Sequence, residues 1–218
     1  MRKLLVFGAL VAAAASAPAF AQEVTVTGNV TLTSDYVWRN VSQSNYDPTI
    51  QGGFDVDFGN GFSVGTWASG VDFSDEPEDT NLEVDFYGSY AFALGDVDAS
   101  VGAIYYAYPD ADTADLNFWE VNAGLSKEFD NGFSLGGTVN WDPDNETVYA
   151  DISASYAVSD IFSLSAGYGS WLEGLGEYSG WNVGGALSLH GLDFGLSYHD
   201  TDISGLEESI VFSIGKSL

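Results

Sequence analysis

The chain has 218 residues, 32 of them acidic and five basic, with a formal net charge of −27 and no cysteine. So acidic a surface repels nucleic acid and anionic headgroups, and the absent thiols exclude cysteine catalysis, thiolate metal sites and a disulfide framework. Twenty-six glycines beside six Trp, twelve Tyr and fourteen Phe are reconciled by a sheet protein with many turns and close-packed small residues.

In chain order, Arg2 and Lys3 precede an apolar run from Leu4 to about Ala15 and a small-x-small site at Ala19-Phe20-Ala21. This is the pattern of a cleaved secretory signal peptide over residues 1–21. The run falls short of the roughly 20 apolar residues that a spanning helix needs. The exported remainder, 22–218, reads as one domain whose only basic residues are Arg39, Lys127 and Lys216.

From there on, apolar and polar residues alternate with period two. Between Leu82 and Phe92, for example, Leu82, Val84, Phe86, Tyr90 and Phe92 share a face, and Glu83, Asp85, Tyr87 and Ser89 share the other. The alternation predicts twelve strands: 24–36, 48–58, 62–73, 82–93, 97–107, 117–129, 133–141, 147–157, 161–171, 180–189, 192–200 and 207–217. After the second, fourth, sixth, eighth and tenth strands stands a short turn: Asn60-Gly61, Leu94-Gly95-Asp96, Asp130-Asn131-Gly132, Val158-Ser159-Asp160 and His190-Gly191. Several supply the positive φ that tight hairpins require. After the odd-numbered strands the connections are longer and polar, so all tight turns gather at one end and all loops at the other. An even count of strands near ten residues with this asymmetry predicts an all-β fold, an antiparallel up-and-down transmembrane β-barrel of the outer-membrane kind.

Alternation alone also suits a soluble exported sandwich. Aromatic placement separates the two. Phe58, Phe62, Phe92, Phe129, Phe133, Tyr156 and Phe162 flank the turns, while Trp119, Trp141, Trp181, Tyr105 and Tyr198 lie toward the loops. Two such belts mark two membrane interfaces. The third strand fits least well, because Trp67, Val71 and Phe73 share parity with Ser63 and Gly65, and a bulge there is the expected remedy.

A set of residues in the first quarter, Ser34-Asp35-Tyr36, Arg39, Ser42-Gln43-Ser44, Pro48, Gln51-Gly52, Gly61-Phe62, Gly65, Trp67, Ser69 and Val71-Asp72-Phe73, resembles the TorF family of exported porin-like proteins. Weaker likeness continues through Glu83, Asp85, Tyr87-Gly88, Tyr108-Pro109 and Lys216-Ser217. Asn40 stands where the family pattern leads one to expect Gly, and Leu218 where such barrels usually end in an aromatic residue. The resemblance implies a porin-like barrel and carries no known substrate with it.

The polar face carries Asp35, Asp55, Asp57, Glu83, Asp85, Glu120, Asp151 and Asp193, together with Asp98 and Glu128. Facing a wet lumen they would attract cations, with Asp85 and Asp151 placed nearest mid-wall as the preferred selectivity residues. Arg39, the lone arginine after cleavage, is expected to pair with Asp35 or another loop acid and to pin the longest loop over or into the mouth. His190 reads as a turn residue. His199-Asp200 lacks a partnered nucleophile, so neither catalytic residues nor a metal cluster are assigned. The acidic loops Asp72 to Asp79 and Asp110 to Asp115 lack an EF-hand spacing; loose divalent-cation bridging to lipopolysaccharide is the expectation, with no cofactor. The function expected is a passive outer-membrane channel for small hydrophilic solutes, preferring cations. The alternatives are a closed barrel with a structural or partner-binding role, supported by bulky inner residues such as Ile104, Tyr106, Tyr149 and Trp67, and, more remotely, an outer-membrane hydrolase.

Overall fold

The computed structural model describes residues 23–73, 80–109, 111, 116–174 and 178–218. The expected leader, residues 1–21, lies outside them, as do 74–79, 110 and 112–115 of the two acidic loops. The strands are β1 (Thr25–Thr33), β2 (Val37–Trp38), β3 (Val41–Ser42), β4 (Thr49–Asp57), β5 (Phe62–Gly70), β6 (Leu82–Leu94), β7 (Val97–Ala107), β8 (Phe118–Glu128), β9 (Phe133–Asp142), β10 (Thr147–Ser159), β11 (Phe162–Glu173), β12 (Ser179–Leu189), β13 (Leu192–Thr201) and β14 (Ser209–Ser217).

Twelve of them close a barrel in which each strand pairs with its successor, from β4 round to β14, and β1 joins β14 on one side and β4 on the other. The pairings are antiparallel, so no barrel edge is left open. The chain end strengthens the closure: Leu218 N–H donates to the Gly28 carbonyl at 2.8 Å. β2 and β3 stand apart as a two-stranded hairpin. The barrel strands agree with the twelve predicted to within about three residues at each end. Turn chemistry explains much of this. His190 and Gly191 both have positive φ, 54° and 78°, and join Leu189 to Leu192 across a two-residue hairpin.

The apolar face points outward. Ile152 is 65% exposed and Leu196 58%, and rings pair at both ends: Phe58–Phe62 at 5.5 Å and Phe129–Phe133 at 5.9 Å by the turns, Trp181–Tyr198 at 5.3 Å by the loops. A closed barrel with its apolar side outside is the opposite of a soluble sandwich, whose apolar faces meet inside.

One expectation is corrected. β5 pairs with β4 and with β6 in unbroken register, so there is no bulge; the register shifts fall instead between β10 and β11. Trp67, Ser69 and Val71 face inward because something apolar meets them there: the Tyr36 ring lies 5.2 Å from that of Trp67.

The inner face differs along the axis. Toward the loops it is buried, at Thr31, Thr33, Glu83, Tyr106, Glu120, Tyr149, Trp171 and Val211. Toward the turns, Ser63, Ser89, Ser100, Gly102, Ser126, Ser134 and Ser155 are half-buried and Ser153 is exposed. The barrel is therefore filled at its loop end and accessible at its turn end.

Candidate functional site

The filling is the segment after β1. β2 and β3 pair Val37 with Ser42 and Trp38 with Val41, leaving Arg39 and Asn40 as a two-residue turn with φ of 51° and 67°. Positive φ at both central residues is type I′ geometry, which favours Gly and, after it, Asn; this is why Asn40 can occupy the position where Gly was expected. A second such pair, Asn45 and Tyr46 with φ of 53° and 63°, is closed by Asp47 N–H donating to Ser44 O at 2.9 Å. Left-handed non-glycine residues cost about 1–2 kcal/mol each, so this hairpin keeps its shape only because its surroundings fix it.

Asp35 is one fixing point. Buried, it accepts from Ser42 Oγ at 2.6 Å, Ser44 Oγ at 3.0 Å and Ser209 Oγ on β14 at 3.0 Å. Glu83, on the wall, is another: it accepts from Tyr36 Oη and from Tyr108 Oη, both at 2.7 Å. Burial, and then the charge of Glu83, raise both phenol pKa values above the ordinary range. Both therefore remain donors. Replacing Tyr108 by Phe, which keeps the ring and removes only the hydroxyl, should leave Glu83 one donor short and cost about 1–3 kcal/mol of stability, read as a lowered urea midpoint of the folded barrel.

The turn itself crosses the lumen. Arg39 Nη2 donates to both oxygens of Glu120 on β8, at 2.8 and 2.7 Å, with the two side chains 7% and 1% exposed. The partner is thus a wall residue, not Asp35 or another loop acid as the sequence suggested, and the arginine sits inside the barrel rather than at its rim. Asp35 is occupied by the hydroxyls that shape its own loop. Three rings surround the guanidinium: its Cζ lies 4.1 Å from the centroid of Trp38, 4.4 Å from Tyr149 and 4.5 Å from Trp171. Tyr106 adds a hydrogen bond to Glu120 at 3.2 Å. A Cβ on Gly169 would collide with the Tyr149 ring, so glycine there lets the ring lie against the wall. Asn40 Oδ1 accepts from Asn182 Nδ2 at 2.9 Å and lies 3.2 Å from His199 Nδ1, and the Asn40 side chain packs against Gly180.

The remaining sequence candidates fall into two groups. Asp85 is buried near Glu83 and Glu120, with one oxygen lacking a hydrogen-bond partner among the described residues. Asp151 is half-buried on the inner face of β10, opposite Gly169 and Thr138, and Asp55 accepts from Tyr87 Oη at 2.6 Å on the accessible side. Asp57 and Asp193 lie at the turn end. Asp57 accepts from Gly59 N–H at 2.7 Å, and Asp193 accepts from Ser188 across the β12–β13 hairpin. His199 makes no dyad with Asp200: its Nε2 is 2.8 Å from Ser197 Oγ, while Asp200 Oδ1 accepts the Thr201 N–H. Neighbours along a strand point to opposite faces. Among the described residues no three His, Asp or Glu are grouped to hold a metal ion.

The cage was only partly visible in the sequence. Tyr149 and Tyr106 stood out as bulky residues on a small-residue face; Trp38, Trp171 and the Arg39–Glu120 pair did not. Trp171 carried the same signal, since it shares parity with Gly167 and Gly169 on β11.

Comparison with known proteins adds a family and a fold. The family model described as "Bacterial protein of unknown function (Gcw_chp)" matches residues 15–210. No curated protein matches. Among solved structures, a KdgM porin superposes with a TM-score of 0.62 at 7% identity, covering 88% of this chain and 96% of its own. The NanC porin gives 0.57 at 11% identity, covering 88% and 98%. The COG4313 outer membrane channel from Pseudomonas putida F1 gives 0.53 at 12%, covering 93% and 99%. At such identities the likeness is one of fold.

Proposed function

This chain belongs to the Gcw_chp family, bacterial proteins of unknown function, and from its barrel we propose that it is an outer-membrane channel for passive diffusion of small hydrophilic solutes, preferring cations and narrowed by its own hairpin. The observation that carries this reading is the accessible turn-side lumen, lined by small polar residues up to Ser153, with Asp55 and Asp151 on its wall and the lumenal Arg39 already paired to Glu120. Acidic side chains at low-dielectric walls concentrate cations and repel anions. A leader and an outward apolar face favour the bacterial outer membrane as its place. The resemblance to the TorF proteins points the same way, and the acidic outer loops are suited to loose divalent-cation bridging with lipopolysaccharide.

Planar-bilayer recording tests it. The expected result is a small conductance with a reversal potential set by the cation. Neutralising Asp151 as Asn removes up to about 1 kcal/mol of Coulomb attraction in a water-filled pore, so the cation-to-anion ratio should fall by up to about fivefold. A silent protein refutes the channel, and anion preference at low salt refutes the cation preference.

A second reading rests on the same hairpin. Tyr106, Tyr149 and Trp67 crowd the inner wall around it, which suits a closed barrel with a structural or partner-binding role. Silence in bilayers combined with normal assembly would favour it.

A further inference from the structure

Building on the channel reading, we propose that the cage around Arg39 is a binding site for free guanidinium-type organic cations, and that the chain's own arginine is its resident occupant. Most of the cage belongs to the barrel. Glu120 stands on β8, Tyr149 on β10 and Trp171 on β11; of the groups touching the guanidinium only Trp38 travels with the hairpin. Displacing the turn therefore leaves a carboxylate and two rings in place, the elements that recognise a flat, weakly hydrated cation.

The site reads the head group rather than the arginine stem. One edge is held by Glu120, the faces are covered by rings, and Nη1 is buried without a hydrogen-bond partner among the described residues. A small guanidinium offers that edge and those faces equally well. A tethered occupant competes at an effective concentration of roughly millimolar, so a free solute would exchange with it only at comparable concentration. Wild-type protein should hence be narrow in the absence of such solutes and wider in their presence.

The test uses Arg39→Gly, since glycine adopts φ 51° without strain and the cation is lost while the wall elements of the cage remain. Heat-modifiable migration confirms that the variant is a folded barrel. Methylguanidinium should then give a saturable change in tryptophan fluorescence, since Trp171 lines the site from the wall and Trp38 from the hairpin. Methylammonium should bind at least about tenfold more weakly, and adding Glu120→Gln should weaken methylguanidinium about tenfold. In bilayers the R39G current should be blocked by methylguanidinium over the same range. No saturable change, or equal affinity for the two cations, overturns the proposal. Saturable, selective binding in a protein that never conducts, wild type or R39G, overturns the channel reading and leaves the site standing. Should R39G not fold, methylguanidinium must still raise the current of wild-type protein when methylammonium does not, and failure there overturns the proposal.

Discussion

Glu120→Ala is expected to expel the hairpin from the lumen while the barrel stays closed. Glu120 is 1% exposed and holds both hydrogen bonds of Arg39 Nη2; removing one member of a buried ion pair costs about 3–5 kcal/mol, because the remaining charge is left unsolvated. Two outcomes can relieve that charge, unfolding or departure of the hairpin. Departure is cheaper, since the hairpin is held to the wall by a few scattered contacts and four left-handed residues oppose its folded shape, whereas each barrel strand is held by two ladders. Trypsin provides the readout. Arg39 is the lone arginine in residues 22–218, and wild-type protein should resist cutting there. In the variant, rapid cleavage after Arg39 with retained heat-modifiable migration is the expected pair of observations. Continued protection at Arg39 would show that the rings and Asp35 hold the hairpin without the ion pair.

Ile152→Arg and Ser153→Arg should part company although they are adjacent on β10. Ile152 faces outward and is 65% exposed; at mid-bilayer an arginine on that face costs about 2–4 kcal/mol. Ser153 faces the accessible lumen, where an arginine remains hydrated and the loss should be below about 1 kcal/mol. Urea unfolding in phospholipid vesicles compares them directly. The lumen variant should instead lose conductance and cation preference, because it sets a positive charge in an acidic passage. Equal destabilisation of the two would refute the assignment of faces.

The barrel was legible because its determinants are local. Asn60-Gly61 or His190-Gly191 needs only its own φ preferences to make a turn, and each strand announces its faces by parity. The hairpin was not legible, because what fixes it lies far along the chain: Glu120 is 81 residues beyond Arg39, and His199 is 159 beyond Asn40. The sequence nevertheless held two indirect signs. Trp67 and Val71 stood on a face reserved for small polar residues, and the bulge invoked to turn them outward was unnecessary once a loop lay inside to meet them. A single arginine between residues 22 and 218, among so many acids, signalled a specific partner, but composition cannot choose among many carboxylates. That choice depends on which wall the turn reaches.

The hairpin's long reach also fixes when it can be placed. Asp35, Arg39 and Asn40 emerge early in the chain, yet they have partners on β14, β8, β12 and β13, so the contacts that dock the turn on the wall do not exist until most of that wall has formed. Closing such long loops is entropically slow. The first segment after β1 is thus among the last to be set, and a barrel caught before that moment is a wider tube than the finished one.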